Sequence, residues 1–440
     1  MARVDELQKR YPSLPREVLI KWDVLQHGLK DSKALTTAGN WFRSLPTYQS
    51  YDREISLKEA AENAGRVKGG FVKTAWQFCQ KNGMGTQVQR DSTSPYEIRD
   101  MGFGRYVLYE GEVEVQEVFF PRDPRPWPEE PLTSKGTPVT NLVTINSPVC
   151  VQMVPVRYCE YFALGEQCRF CNWNAGNADA RLIGLDRPIT ISLDDAAEAY
   201  QIIASDLKLS EYRIQPGGLR NNKQTFGMLF SFMEKLATAT PHKPNFTINT
   251  EPMERADLQR LKDVGLDCIG FQMEVWDPRV FPIIAPAKAK YTGYERYLEA
   301  FQDAVDVFGV GNVMVNFVGG VTVVPENGHQ TWQEARDWHA EGNRWMIKHG
   351  VFPTMTPVRL GPGSVYGDDP NLRGKRPPTE FYLEVGMAHH EAMMEYDRYK
   401  TLNKFVICPM ECHALLYAGE IGIATLYGSV RNWLANKPLS

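Results

Sequence analysis

The chain has 440 residues, of which 43% are hydrophobic and 23% charged, with a formal net charge of −4. That length suits a barrel of about 250 residues with additions at its ends, and the mild charge gives no sign of a nucleic-acid partner. No stretch reaches the roughly 18 apolar residues that span a membrane, and the opening MARVDELQKRYPSLP lacks a signal peptide's apolar core, so a cytoplasmic location with reduced thiols is expected.

The first eighty or so residues read as helical. SLKEAAENAGRVKGGFVKTAWQFCQKN opens on Ser56 with Glu59 three residues on, a capping-box pattern. Between about 85 and 120 the character changes. GRYVLYEGEVEVQEVFF is rich in β-branched and aromatic residues around a Glu-Gly turn, which predicts a hairpin. PRDPRPWPEEP then reads as a linker or an extended wrap.

From about residue 148 to 360, strands and helices alternate. The strands are VCVQMVPV, YRIQP, NFTIN, CIGFQMEVW, VMVNFVGG and FPTMTPV. The helices between them are SLDDAAEAYQIIASDL, KQTFGMLFSFMEKLA, RADLQRLKDV, GYERYLEAFQDAVDVF and TWQEARDWHAEGNRWMIKHG. Such alternation implies parallel strands with helices outside. Six strands fit a partial barrel or an open doubly wound sheet.

The strands favour the barrel. A parallel strand buried on both faces is nearly all apolar, and these are not. Phe271, Met273 and Val275 oppose Gly270, Gln272 and Glu274; Phe246 and Ile248 oppose Thr247, Asn249 and Glu251. Tyr212 and Ile214 oppose Arg213 and Gln215; Val313, Val315 and Phe317 oppose Asn316. The apolar side packs on helices, and the polar side lines a lumen. A polar lumen is costly unless it binds something. The expected fold is therefore α/β, a partial (β/α)6 TIM-like barrel over 148–365. A helical and β-hairpin region precedes it over 1–147, and a helical closing segment follows over 366–440.

Three of the eight cysteines fall in one stretch, CEYFALGEQCRFCNWN, as Cys159, Cys168 and Cys171. Soft thiolates suit zinc or iron–sulfur clusters. Structural zinc takes four ligands, and no fourth Cys or His lies nearby in sequence; His242 is the next histidine. Three thiolates on a four-iron cluster leave one iron open, as a catalytic centre requires. The competing reading is a non-catalytic zinc- or iron-binding protein with a distant fourth ligand.

This loop, placed after VCVQMVPVRY and carrying Phe170 before its last cysteine, resembles the cluster loop of radical S-adenosylmethionine enzymes. Gly217-Gly218 after YRIQP resembles that family's glycine motif, CIGFQMEVWD its fourth strand, NFVGGV its fifth, and PVRLGPGS the sixth-strand end of its biotin-synthase-like branch. The resemblance covers roughly residues 148 to 365. It departs from the family in its C-x8-C-x2-C spacing, where C-x3-C-x2-C is usual, and in Leu219, where the motif carries Glu.

The resemblance implies a [4Fe-4S] cluster on Cys159, Cys168 and Cys171. It also implies S-adenosylmethionine bound by the open iron and by Phe170, Gly217, Gly218, Asn249, Glu251, Gln272 and Glu274, with Glu251 or Glu274 replacing the missing Glu. One electron, from a donor such as flavodoxin or ferredoxin, would cleave the cosubstrate to a 5′-deoxyadenosyl radical that takes hydrogen from a small-molecule substrate. Carbon–carbon cleavage, rearrangement and sulfur insertion all remain open.

Weaker patterns lie outside this set. Cys408 and Cys412, before His413, form C-x3-C with Pro409 between. They are candidate active-site thiols near the cosubstrate, or two packed cysteines. Arg359 at the end of the sixth strand is a candidate clamp for a substrate carboxylate or phosphate, or a surface salt bridge; Arg213 is a weaker candidate of the same kind. Gly309-x-Gly311 lacks the third glycine of a dinucleotide site. His389-His390-Glu391 point different ways on a helix and read as helix surface.

Overall fold

The computed structural model describes residues 2–39, 75–147 apart from 76, 124 and 126, 149–175, 187–239 apart from 208, and 243–401. Cys408, Cys412, His413 and the Ser56 capping box lie outside the described residues.

The N-terminal part begins with α1 (Arg3–Arg10), α2 (Arg16–His27) and α3 (Lys33–Gly39). Five antiparallel strands follow: β1 (Gln77–Gln80), β2 (Gly85–Gln87), β3 (Tyr96–Asp100), β4 (Tyr106–Glu110) and β5 (Val113–Phe119). They lie in the order β2-β1-β5-β4-β3. The expected hairpin is β4–β5, turning at Gly111 with φ of 56°, a left-handed conformation that glycine takes at no steric cost. The helical expectation fails at Gln77–Gln80. There β1 pairs with both β2 and β5, and tertiary strand pairing overrides local helix propensity.

The second sheet has seven strands: β6 (Val143–Ser147), β7 (Cys150–Met153), β8 (Glu211–Ile214), β9 (Asn245–Thr250), β10 (Cys268–Glu274), β11 (Val313–Gly319) and β12 (Val351–Pro357). β7 to β12 are parallel and lie side by side in chain order, with β6 antiparallel on the edge. The crossovers carry α4 (Leu193–Asp206), α5 (Asn222–Ala237), α6 (Arg255–Asp263), α7 (Tyr294–Phe308) and α8 (Trp332–Lys348), and α9 (Thr379–Glu395) follows β12. Right-handed crossovers between successive neighbours all place their helices on one side. A doubly wound sheet reverses its strand order to cover both sides, and this sheet does not. It is an open, partial barrel whose edges are β6 and β12.

The two-faced reading of the strands holds. Tyr212, Ile214, Phe246, Ile248, Phe271, Met273, Val313, Val315 and Phe317 all enter one buried core with residues of the crossover helices. Tyr212 meets Tyr200 edge-on at 4.9 Å, and Phe271 meets Phe301 at 5.4 Å. On the opposite face, Arg213 pairs with Glu211 at 3.1 Å, Gln152 donates to Gln215 at 3.0 Å, and Thr354 and Thr356 donate to Asn316. Local signals set the helix starts. Ser192, Asn221 and Thr331 each accept a backbone N–H of the first turn.

A second core joins α1–α3 and the five-stranded sheet to α8, α9 and β12, with Trp22 stacked on Tyr382 at 5.1 Å. His389 belongs to this layer. It is fully buried on α9 and meets Phe352 edge-on, which corrects its reading as helix surface: α9 is covered by neighbours on the face that carries it.

The two faces give opposite mutational expectations. Phe271→Ala should lower unfolding free energy by about 3–5 kcal/mol in denaturant titration. Thr247→Val on the lumen face should leave it unchanged or raise it, because the buried Thr247 hydroxyl has no hydrogen-bond partner.

Candidate active site at the mouth of the barrel

The cysteine stretch leaves the C-terminal end of β7, the end at which barrel sites form. Cys159 precedes a single helical turn, Glu160–Ala163. Asn174 closes the loop: its side chain accepts the Cys159 N–H at 3.0 Å and donates to the Cys159 carbonyl at 3.2 Å. The Cys171 N–H donates to the Cys168 carbonyl at 2.9 Å, so these two cysteines share one tight turn.

The loop after β8 lies against this stretch. The Gly217 N–H reaches the Val156 carbonyl and the Glu160 N–H the Gly218 carbonyl. A β-carbon on Gly217 would sit 2.1 Å from the Tyr158 carbonyl oxygen, and one on Gly218 would sit 3.2 Å from Cys159 Sγ. The two glycines are thus required by the packing of one loop on the other.

All three thiols are half-buried. Burial pushes the Cys159 thiol up, against the pull of the Tyr161 and Gly218 N–H groups at its sulfur. Burial pushes Cys171 up to about 12, against the Trp173 N–H, and holds Cys168 well above the usual thiol range. Desolvated thiols of this kind become thiolates when a metal takes the charge. N–H groups aimed at sulfur suit an iron–sulfur cluster, whose potential such donors tune. Among the described residues, no three His, Cys, Asp or Glu side chains gather around a point as one metal ion demands.

Beside the thiols lies a buried charge network. Lys288 Nζ is 2.7 Å from Glu274 and 3.2 Å from Glu251, and also donates to the Gln272 carbonyl. Tyr297 donates its hydroxyl proton to Glu251. Burial alone would lower the Lys288 pKa and is the largest influence. The two carboxylates outweigh it, and the ammonium stays well above its ordinary range. Glu274 has φ of 74° at a bulge in β10, a conformation that costs a non-glycine residue about 1–3 kcal/mol.

The sequence-predicted residues divide as follows. Cys159, Cys168, Cys171, Gly217 and Gly218 come together. Glu251 and Glu274 are both engaged by Lys288, with the Gln272 carbonyl beside them. Asn249 is buried against Gly270, its Oδ1 without a partner. Phe170 packs half-buried on the barrel core. Arg213 is held by Glu211 inside the barrel. Arg359 donates to Gln87 of β2 and so ties the end of β12 to the N-terminal sheet.

Lys288 is the residue that sequence reasoning missed. It sits in Pro286–Tyr291, one short turn. Lys288 is buried there while Lys290 is exposed, and nothing in APAKAKY distinguishes the two.

No family model matches the chain, and no curated protein does. Among solved structures it is similar to methylornithine synthase PylB, at 11% identity over 57% of this chain and 64% of that one, with a TM-score of 0.40. It is similar to HydG, the FeFe-hydrogenase maturase of Carboxydothermus hydrogenoformans, at 16% identity over 56% and 52%, with a TM-score of 0.39. It is also similar to coproporphyrinogen III oxidase HemN of Escherichia coli, described as a radical SAM enzyme, at 12% identity over 59% and 55%, with a TM-score of 0.36. The chain thus spans between 52% and 64% of the length of these proteins. Likeness at this level assigns neither family nor reaction; that falls to the cysteine loop and its surroundings.

Lys288→Met leaves two buried carboxylates facing each other without their cation. It should cost about 3–5 kcal/mol in denaturant titration. Adding Glu274→Gln should recover part of that loss, because it removes one of the two stranded charges.

Proposed function

We propose that the chain is a radical S-adenosylmethionine enzyme acting on a small molecule. The observation that carries this is the Cys159–Cys171 loop at the barrel mouth: three thiols, sulfur-directed N–H groups, and two glycines that hold the next loop against it.

Cys159, Cys168 and Cys171 would hold a [4Fe-4S] cluster. With S-adenosylmethionine bound, that cluster supplies one-electron cleavage of the cosubstrate and hence hydrogen abstraction from the substrate. The chain's own residues shape the chamber. Lys288 fixes Glu251 and Glu274 on the rim of the lumen, where the cosubstrate's cationic head would meet a net negative surface. Gly217 and Gly218 let the loop after β8 pack against the cysteine loop. Asn249 and Thr247 offer unpaired polar atoms inside the lumen. Arg359 donates to Gln87 and so ties the N-terminal sheet to the end of β12.

The substrate is a small molecule, and the class of the later reaction is left to lyase, rearrangement or sulfur-insertion chemistry. An electron donor such as flavodoxin or ferredoxin completes the system, in the cytoplasm. No helix among the described residues is long and apolar enough to cross a membrane. At least one of Cys408 and Cys412 is proposed as a thiol near the cosubstrate.

Anaerobically reconstituted protein should bind about four irons per chain and, once reduced, convert S-adenosylmethionine to 5′-deoxyadenosine. Replacing Cys159, Cys168 or Cys171 with Ala should remove both properties. Gly218→Val should weaken cleavage, because its side chain collides with Cys159 Sγ and Tyr161. A triple Cys→Ala variant that keeps a full iron complement contradicts the assignment.

A further inference from the structure

The lumen face of the sheet leaves one kind of side chain open. In β7, β10, β11 and β12 every residue is buried but one, and those are Gln152, Gln272, Asn316 and Thr356. Gln215 follows β8, whose four residues are all buried, and is again half-buried. Strand neighbours of the four amides, such as Val151, Ile214, Phe271 and Val315, pack on the crossover helices. Alternation therefore turns the amides the other way, into the barrel, and Thr356 joins them through its bond to Asn316. All five are uncharged, and four are carboxamides.

Hydrogen bonding leaves these amides with one working end each. Gln152 donates its amide to Gln215 Oε1 at 3.0 Å. The pair keeps one amide nitrogen, on Gln215, and one amide oxygen, on Gln152. Exchanging oxygen and nitrogen in both side chains reverses the bond and still leaves one donor beside one acceptor. Asn316 Oδ1 receives the Thr354 and Thr356 hydroxyls at 3.0 and 3.1 Å, and the other end of its amide has no partner among the described residues. Gln272 belongs instead with the Lys288 network, since its carbonyl accepts from that ammonium. The cations of this face are already matched. Arg213 is buried on Glu211 at 3.1 Å, and Lys288 lies between Glu274 and Glu251. A carboxylate or phosphate drawn in here loses its water, gains no unmatched cation from these two, and meets the net negative charge of the Lys288 network.

We propose that the substrate is an uncharged molecule bearing a carboxamide, lactam or ureido group, and that Gln152 and Gln215 read that group, with Asn316 as a further contact. This rests on the functional reading above and names the substrate class of that same site. An amide edge places an N–H beside a C=O, and the glutamine pair offers the complementary acceptor beside a donor. Neither partner then leaves a polar atom stranded when water departs, which is what makes such pairing selective. Asn316 is fixed for the purpose by two threonine hydroxyls on the neighbouring strand.

The test measures dissociation constants of matched probes on the full chain by saturation-transfer NMR: propionamide against propionate, benzamide against benzoate, and nicotinamide against nicotinate. Within each pair the two molecules have nearly the same shape and differ in charge. Each amide should bind at least about tenfold more tightly than its acid. The double variant Gln152→Leu with Gln215→Leu should weaken the amides by about tenfold or more. Gln215→Lys supplies the cation that the lumen lacks and should reverse the preference towards the acids, a gain of binding that a misfolded protein would not show. Acids that bind the wild type as tightly as the amides would overturn the proposal. So would amides that bind the double variant as they bind the wild type, or a wild type that binds none of the three amides. These measurements need no reductant and no turnover. A chain that forms no 5′-deoxyadenosine would therefore overturn the functional reading separately, whatever its preference among the probes.

Discussion

The mouth of the barrel is organised by a close approach of backbone to backbone. The loop after β8 lies on the cysteine loop because Gly217 and Gly218 carry no side chains. A single β-carbon at Gly217 would occupy the space of the Tyr158 carbonyl oxygen. The hydrogen bonds between the loops, Gly217 to Val156 and Glu160 to Gly218, need that contact. So do the Gly218 N–H at Cys159 Sγ and the placement of Tyr161 beside it. The role that the resemblance implies for these glycines is binding of S-adenosylmethionine. Their first task is to bring two segments of this chain together, and any ligand then meets a surface already built from both.

The electrostatics of the mouth follow from burial. Glu251, Glu274 and Lys288 are each less than a tenth exposed. Two buried carboxylates side by side repel and lose hydration. One ammonium between them removes most of that cost and leaves one net negative charge. The strained backbone of Glu274 fits this picture, because a left-handed residue at a bulge redirects a side chain that regular strand geometry would have aimed elsewhere.

Much of this was legible in the sequence, for identifiable reasons. Strand alternation is a local signal with a period of two, and Phe271 against Gln272 or Phe246 against Thr247 displayed it plainly. The cysteine spacing and the glycine pair are also local. What stayed hidden depends on contacts distant in the chain. Gln77–Gln80 became a strand because β5, some forty residues on, pairs with it. His389 became core because α9 meets Phe352. Lys288 gained its role from Glu251 and Glu274, which belong to two other strands, and Lys290, two residues away, shows that local sequence alone could not have marked it.

The central claim is that three thiols hold a cluster with one iron left open to the cosubstrate. The most direct measurement is electron paramagnetic resonance of the reduced protein with and without S-adenosylmethionine. The account predicts the signal of a reduced four-iron cluster whose g-values shift when the cosubstrate is added, because the cosubstrate binds the open iron. A reduced protein that carries no such signal, or one whose signal is indifferent to saturating S-adenosylmethionine, would contradict it.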